Sequence, residues 1–305
     1  MEEAETIWMD GDLVPWDEAQ VHVLTHALHY GSAVFEGIRA YDTGDVTAVF
    51  RLDAHLDRFF NSAEPYGIDI PFSREEVETA IYDVIQENEL DSAYVRPIAF
   101  YGYEELGVNP SECPVRVAIA AWPWGAYLGE DAIENGVAVQ VSSWRKYRSD
   151  MIPTNAKTTG AYVNSLLATT EADRRGFRES ILLDADGYVA EGPGENLFLV
   201  RDGTVITPDL SSSILEGVTR KSVITMAEDL GYEVVERRVA RGELYSADEL
   251  FFTGTAAEVT PIRQVENVEV GEGTKGPVTD ELQQAFFDTV NGETEEYSDW
   301  LFPVQ

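Results

Sequence analysis

The chain contains four lysines, Lys146, Lys157, Lys221 and Lys275. A lysine amine attacks a carbonyl carbon to form a Schiff base, provided it is held unprotonated beside that carbon. Lys275 lies in GEGTKGP, a Gly/Pro loop, and reads as a solvated residue. Lys221 falls in a helix predicted from Gly217 onward, whose apolar face is Val223, Ala227 and Leu230. At ~100° per residue it points about 160° away from Val223, toward solvent. Lys146 sits in WRKYR, where cationic neighbours can depress its pKa but a basic surface patch is the simpler reading. Lys157, in PTNAKTTGAY, has no flanking charge, follows an irregular Pro-containing stretch and opens a predicted helix. Position favours Lys157 without deciding among the four.

A second constellation is His22, His26 and His29, spaced i, i+4, i+7. On one helix they would share a face and suggest a metal-dependent hydrolase. No HExxH or comparable carboxylate ligand accompanies them, and Tyr30-Gly31 argues against a long helix there, so no metal is expected.

These residues need a scaffold. Ile7 to Trp16 reads as a hairpin about an Asp10-Gly11-Asp12 turn, and Val46 to Phe50 as a strand. Helices are predicted over 52–64 and 73–88; the second starts with a Ser73/Glu76 capping box and has Val77, Ile81, Val84 and Ile85 on one face. Ala93 to Tyr101 and Val115 to Ala121 are apolar runs of strand length. Pro, Gly and acidic residues interrupt the pattern around 122–136, which is where the domain junction is placed. Beyond it come a strand over 137–142, a helix from about Thr158 to Arg175 stopped by Gly176, and a meander turning at Asp186-Gly187 and Asp202-Gly203. A helix over 217–230 is closed by Gly231. Strands and helices do not alternate regularly, so the expected class is α+β in two domains. The expected division is a small domain over 1–123, an interdomain loop over 124–135 and a large domain over 136–305.

Composition narrows the classes. Lys plus Arg is 21 and Asp plus Glu is 56, a net charge of −35. Nucleic acid and anionic membranes are therefore poor partners. That charge far exceeds what solubility needs and points to a salt-adapted, halophilic surface. Cys113 is the only cysteine, and neither a secretory leader nor an unbroken apolar stretch of spanning length is seen, so a cytoplasmic protein is expected.

Five segments then decide the reading. They are HVLTHALHYGSAVFEGIR (22–39), IPTNAKTTGAY (152–162), YVAEGPGENLFL (188–199), LEGVTR (215–220) and TGTAAEVTP (253–261). In this order the chain resembles the branched-chain aminotransferases of pyridoxal-phosphate fold type IV, from the Trp8 hairpin to Gln284-Ala285-Phe286-Phe287. The resemblance implies a small N-terminal α/β domain and a larger, β-barrel-like C-terminal domain like that of D-amino-acid aminotransferase. It implies transfer of an amino group from leucine, isoleucine or valine to 2-oxoglutarate, with pyridoxal 5'-phosphate held as a Schiff base on Lys157. Glu191 would face the cofactor's pyridine nitrogen, Glu195 would support it, and Tyr162 would bond the phenolic oxygen. Gly217, Val218 and Thr219 at a helix start, Thr255 and Arg58 would take the phosphate, and Arg51 nearby would be structural. Tyr30, Phe35, Gly37, Tyr94, Arg96, Trp124 and Tyr127 would shape the substrate pocket, and the Ala256 and Ala257 amides would hold the α-carboxylate. Aromatic walls suit an aliphatic side chain, and Arg96 suits the second carboxylate of glutamate. In this family residues near 29–31 reach the neighbouring subunit's site, so a homo-oligomer, a dimer or an assembly of dimers, is implied. D-amino-acid aminotransferase and aminodeoxychorismate lyase share the fold type; FEGIR and PWGAYLG are more similar to the branched-chain group.

Overall fold

The computed structural model describes residues 2–125 and 128–304. Two compact units emerge, the first comprising Met1–Trp124, Ala156–Ala161 and Thr289–Gln305, the second Gly125–Asn155 and Tyr162–Asp288.

Among the described residues, the first unit holds one 8-stranded sheet. Its order is Leu301–Pro303, Thr47–Phe50, Ile38–Asp42, Ala93–Tyr101, Val115–Trp122, Thr6–Met9 and Asp12–Pro15, with Ala33–Phe35 also paired to Ala93–Tyr101. Helices Leu52–Ala63 and Arg74–Glu87 pack on this sheet. Ser73 and Glu76 form both arms of the capping box, satisfying donors the helix start would otherwise leave bare. Val77, Ala80, Ile81, Val84 and Ile85 repeat at helical spacing and are buried against Val95, Val117 and Ile119. Each large aliphatic side chain of this stripe contributes roughly 1.5–3 kcal/mol on burial.

The second unit holds a 10-stranded sheet among the described residues. Its order is Val234–Glu236, Thr204–Thr207, Asn196–Arg201, Glu249–Gly254, Glu258–Val265, Val137–Arg145, Glu179–Leu183, Tyr188–Val189 and Val239–Ala240, with Val268–Glu269 beside Glu258–Val265. The two end strands of this path, Val234–Glu236 and Val239–Ala240, are separated in the chain only by Arg237 and Arg238. The sheet must therefore curl until its edges approach, which gives the barrel-like form expected. Val139, Ile181, Leu197, Leu199 and Phe252 fill its core.

Several expectations need correction. The helix expected from Thr158 runs from Tyr162 to Arg174, so Lys157 precedes it on irregular backbone. The stretch expected as an interdomain loop carries helix Glu130–Asn135. The stretch around 300, expected in the large domain, belongs to the first unit because Leu301–Pro303 pairs with Thr47–Phe50. Its short apolar run, LFP, carries no periodicity that names its partner.

Candidate active site

In the first unit Lys157 is fixed through its backbone. Its carbonyl accepts from Phe35 N at 3.0 Å, and its N–H donates to Ser62 Oγ at 2.9 Å. Thr158 bridges Val34, so the segment lies along the edge of strand Ala33–Phe35. The Lys157 side chain runs to the Phe35 ring, with Nζ 4.9 Å from its centroid. Burial, then the Arg58 charge, pushes the Lys157 amine down to about 8, against the opposing pull of Glu36 and Tyr94; Arg96 adds to the lowering. A nucleophilic lysine needs this state.

Close to Lys157 lies a group absent from the sequence-based expectations. Glu36 is fully buried and accepts from Arg58 Nε at 2.7 Å, Arg58 Nη2 at 2.8 Å and His55 Nδ1 at 2.8 Å. Burial alone would raise the Glu36 carboxyl; Arg58 and then His55 outweigh it and hold Glu36 well below the usual carboxylate range. Burial pushes the His55 imidazole down.

The expected substrate residues of this unit also gather. Arg96 Nη2 donates to the Tyr94 hydroxyl at 3.1 Å, and the Arg96 guanidinium lies 4.9 Å from the Phe35 ring centroid. Tyr94 packs on Trp124 with centroids 4.9 Å apart. Gly37 must be glycine, because a Cβ there would stand 1.9 Å from the Tyr94 hydroxyl. Tyr30 ends helix His26–Tyr30 and is exposed. Tyr127 lies outside the described residues. Arg51 stacks over Trp300 at 4.6 Å.

In the second unit Glu191 is the centre. Its Oε1 pairs with Lys146 Nζ at 2.5 Å, and its Oε2 accepts from Asn196 Nδ2 at 3.0 Å and Leu215 N at 2.9 Å. Lys146 is therefore no surface lysine: it is 7% exposed. Burial alone would lower its ammonium, but Glu191 outweighs that, and Lys146 stays firmly protonated. Its placement between two arginines gave no hint of this, since the partner lies 45 residues on in another strand connection.

Asn196 also donates to Leu215 O at 2.9 Å, tying Glu191 to the segment that opens helix Val218–Asp229. Gly217 is the N-cap of that helix, and a Cβ there would fall 2.0 Å from Asn196 Oδ1. Val218 and Thr219 form the buried first turn, where backbone N–H groups and the helix dipole suit an anion. Thr255, Ala256 and Ala257 form the turn before strand Glu258–Val265. Tyr162 starts its helix in this unit. Glu195 is buried, and Gly194 N donates to its Oε2 at 3.1 Å. Burial, then the Glu195 charge, pushes the neighbouring Glu179 up to about 9, so it holds a proton at neutral pH. Glu179 too escaped the sequence reading.

The histidines serve other ends. His26 is buried, with Nδ1 2.7 Å from Ser32 Oγ and Nε2 2.7 Å from Gly107 O. His22 precedes the helix and stacks on Tyr103. Among the described residues no group of three His, Cys, Asp or Glu is arranged to hold a metal ion.

Half-buried Lys157 and buried Lys146 give a direct test. Labelling of Lys157 by an amine-reactive acylating reagent, followed by peptide mass spectrometry, should rise with pH through a midpoint near 8. Lys146 should stay unlabelled over the same range. A Lys157 profile still climbing at about pH 10, the range of an ordinary lysine, would show that its amine is not depressed.

The model for amino-transferase class IV matches residues 33–265. A branched-chain-amino-acid aminotransferase of Pseudomonas aeruginosa is 51% identical over 294 residues, 96% of this chain and 95% of that protein. The crystal structure of the Escherichia coli branched-chain amino acid aminotransferase has a TM-score of 0.97 at 49% identity, covering 99% of this chain and 100% of that one. That of the Thermobaculum terrenum branched-chain amino acid aminotransferase, solved in its PLP form, has a TM-score of 0.94 at 34% identity and covers 100% of both chains.

Proposed function

The chain belongs to the class IV aminotransferase family, and from that premise we propose that Lys157 is its covalent attachment point for pyridoxal 5'-phosphate. The reaction is branched-chain amino acid aminotransfer, from leucine, isoleucine or valine to 2-oxoglutarate. That reading holds over D-amino-acid aminotransfer, aminodeoxychorismate lysis and metal-dependent hydrolysis. The observation that carries the role of Lys157 is the seating of its half-buried side chain against the Phe35 ring, with burial and then the Arg58 charge pushing its amine down.

The residues present fit the cofactor chemically. It needs an amine that loses its proton more readily than an ordinary lysine, an anion for its ring nitrogen and donors for its phosphate. Lys157 is such an amine and Glu191 such an anion. Gly217, Val218 and Thr219 open a helix, whose first-turn N–H groups suit a phosphate; Thr255 and Arg58 add a hydroxyl and a charge. Bound pyridoxal phosphate supplies an electron sink for the substrate's Cα–H electrons. Lys157 Nζ then takes and returns the Cα proton. The Glu191 carboxylate, its orientation fixed by Lys146 and Asn196, would keep the ring nitrogen protonated, with Glu195 supporting the turn. Tyr162 would bond the phenolic oxygen. Phe35, Gly37, Tyr94, Trp124 and Tyr30 would shape the side-chain pocket, and the Ala256 and Ala257 amides would take the α-carboxylate.

Arg96 separates the two substrate classes. Its guanidinium is oriented by the Tyr94 hydroxyl and the Phe35 face, leaving Nε without a hydrogen-bond partner. Such a buried donor is costly until an acceptor arrives. In an amino-donor panel, Arg96→Leu should cut kcat/KM for glutamate and 2-oxoglutarate about a hundredfold and for leucine under about fivefold, the loss of one charge-assisted contact. Equal losses for both classes would assign Arg96 to the shared α-carboxylate or to the fold.

Homo-oligomerisation belongs to the same reading. Val163, Leu166 and Leu167 are exposed on helix Tyr162–Arg174, and Val21, Val23, Leu24, Leu28 and Tyr30 are exposed in and just before helix His26–Tyr30. Runs of exposed apolar residues of this kind support a covered face. A cytoplasmic location is supported by composition, with Cys113 a lone buried thiol.

Salt should strengthen the assembly. At 0.1 M salt the screening length is about 10 Å and at 1 M about 3 Å, so a chain of net charge −35 repels itself and its copies most in dilute buffer. Melting temperature and subunit mass should rise together between about 0.1 M and about 2 M KCl. If neither moves, the acidic surface serves solubility alone.

A further inference from the structure

The buried Glu36, His55 and Arg58 group has no part in the roles assigned so far beyond the charge of Arg58. Glu36 is wholly buried while Arg58 is 12% exposed. The carboxylate grips two guanidinium nitrogens, Nε and Nη2, each with its own oxygen, in a planar fork that fixes both the position and the plane of the guanidinium. His55 completes the grip. It and Arg58 stand three residues apart on helix Leu52–Ala63, so both face the same carboxylate. The His55 Nδ1 donates to Glu36 Oε2, which also accepts from Gly37 N at 3.3 Å. Burial keeps the imidazole neutral, so it adds a hydrogen bond and no charge. The same two elements hold Lys157: Phe35, the residue before Glu36, and Ser62, one turn after Arg58, make its backbone hydrogen bonds.

A buried ion pair is weak support for stability, because desolvation offsets most of its attraction. An apolar pair would fill this place as well. What an apolar pair does not supply is a guanidinium locked in one plane.

We propose that Glu36 is a positioning residue for cofactor phosphate: its buried carboxylate, braced by His55, holds Arg58 in the one orientation in which the guanidinium meets that phosphate. The proposal rests on the assignment of Arg58 to the phosphate made above. Charge alone argues for the opposite outcome. Glu36 cancels the positive charge of Arg58, so neutralising Glu36 would tighten phosphate binding if only the field mattered. Orientation predicts that it loosens.

The test is reconstitution of the full chain, freed of cofactor, with pyridoxal 5'-phosphate and separately with pyridoxal, each followed by absorbance and reductive trapping. The ratio of the two dissociation constants reports the phosphate contact and is insensitive to a general loosening of the fold. Glu36→Gln should lower the preference for the phosphorylated form by at least about tenfold, the worth of one charge-assisted hydrogen bond. Arg58→Leu should lower it at least as far, and the double variant no further, since both act through one contact. Arg58→Lys, which keeps the charge and loses the fork, should also lower it, and carries the test alone if Glu36→Gln does not fold. An unchanged or increased preference in Glu36→Gln, or full preference in Arg58→Lys, overturns the positioning role. An unchanged preference in Arg58→Leu shows instead that the phosphate assignment of Arg58 is wrong.

Discussion

Lys157→Ala should abolish aminotransfer, by at least about a thousandfold, because both the attachment point and the proton carrier are lost at once. The same change should leave the fold intact, for a specific reason. The folded amine sits near 8, below its ordinary value of 10.5. Below about 8 both the folded and the unfolded chain carry the proton, so at neutral pH the folded state bears the full cost of burying the ammonium, a cost relieved as pH rises from about 8 to 10.5. Alanine removes that cost along with the packing of the stem. The melting temperature of the cofactor-free variant should therefore stay within a few degrees of the parent at neutral pH. A variant that still yields a reducible cofactor adduct on another lysine would refute the assignment, and Lys146 is the one to inspect. A variant that melts far earlier would mark Lys157 as a structural residue.

Glu191→Gln should slow the half-reaction by about two orders of magnitude or more, since an amide cannot keep the ring nitrogen protonated. Here the structure adds a complication. Lys146 lies 2.5 Å from Glu191 and is 7% exposed. Removing one partner of a buried pair strands the other, at about 3–5 kcal/mol. Glu191→Gln alone will thus lose both rate and stability, and the two losses must be separated. Lys146→Met combined with Glu191→Gln removes the stranded ammonium and should restore the melting temperature while the half-reaction stays slow. A single-turnover rate near the parent's in that double variant would remove Glu191 from the mechanism.

Much of this is legible in the sequence wherever local pattern decides the outcome. The Ser73/Glu76 capping box and the stripe from Val77 to Ile85 specify their helix within the residues concerned. The hairpin about Asp10-Gly11 is equally local, with Trp8 paired to Leu13. The remainder depends on contacts between distant segments. Lys146 reads as a surface residue because its immediate neighbours are arginines, and only folding brings Glu191 against it. Glu36 sits inside a motif recognised as a unit, yet its partners His55 and Arg58 lie on a helix 19 and 22 residues further on. Glu179 carries no local sign that burial, and then the Glu195 charge, will push its carboxyl up. Charged residues in so acidic a chain are read as solvated by default, and that default hides the ones that are buried. The helix starts at Tyr162 rather than at Thr158 for a related reason. Thr158 and Thr159 are tied to strand Ala33–Phe35 across the fold, an attachment that helical propensity does not register.

The first unit's sheet is assembled around three stretches of chain separated by long intervals: its own first hundred-odd residues, the short Lys157 segment, and the stretch around 300. Strand Thr47–Phe50 waits for Leu301–Pro303 some 250 residues later. During synthesis at about 5–20 residues per second, that strand's edge stays bare for roughly tens of seconds while the rest of the chain is made. Contacts of such high sequence separation form late and slowly, because loop closure comes before any reward. The helix bearing Arg58 and the strand bearing Phe35 can dock early, but Lys157 reaches them only after a further long stretch has emerged. The pairing that completes the sheet, Thr47–Phe50 with Leu301–Pro303, is thus reserved for the closing phase of folding, and an unsealed strand edge is the form in which the newly made chain is most exposed to misassembly.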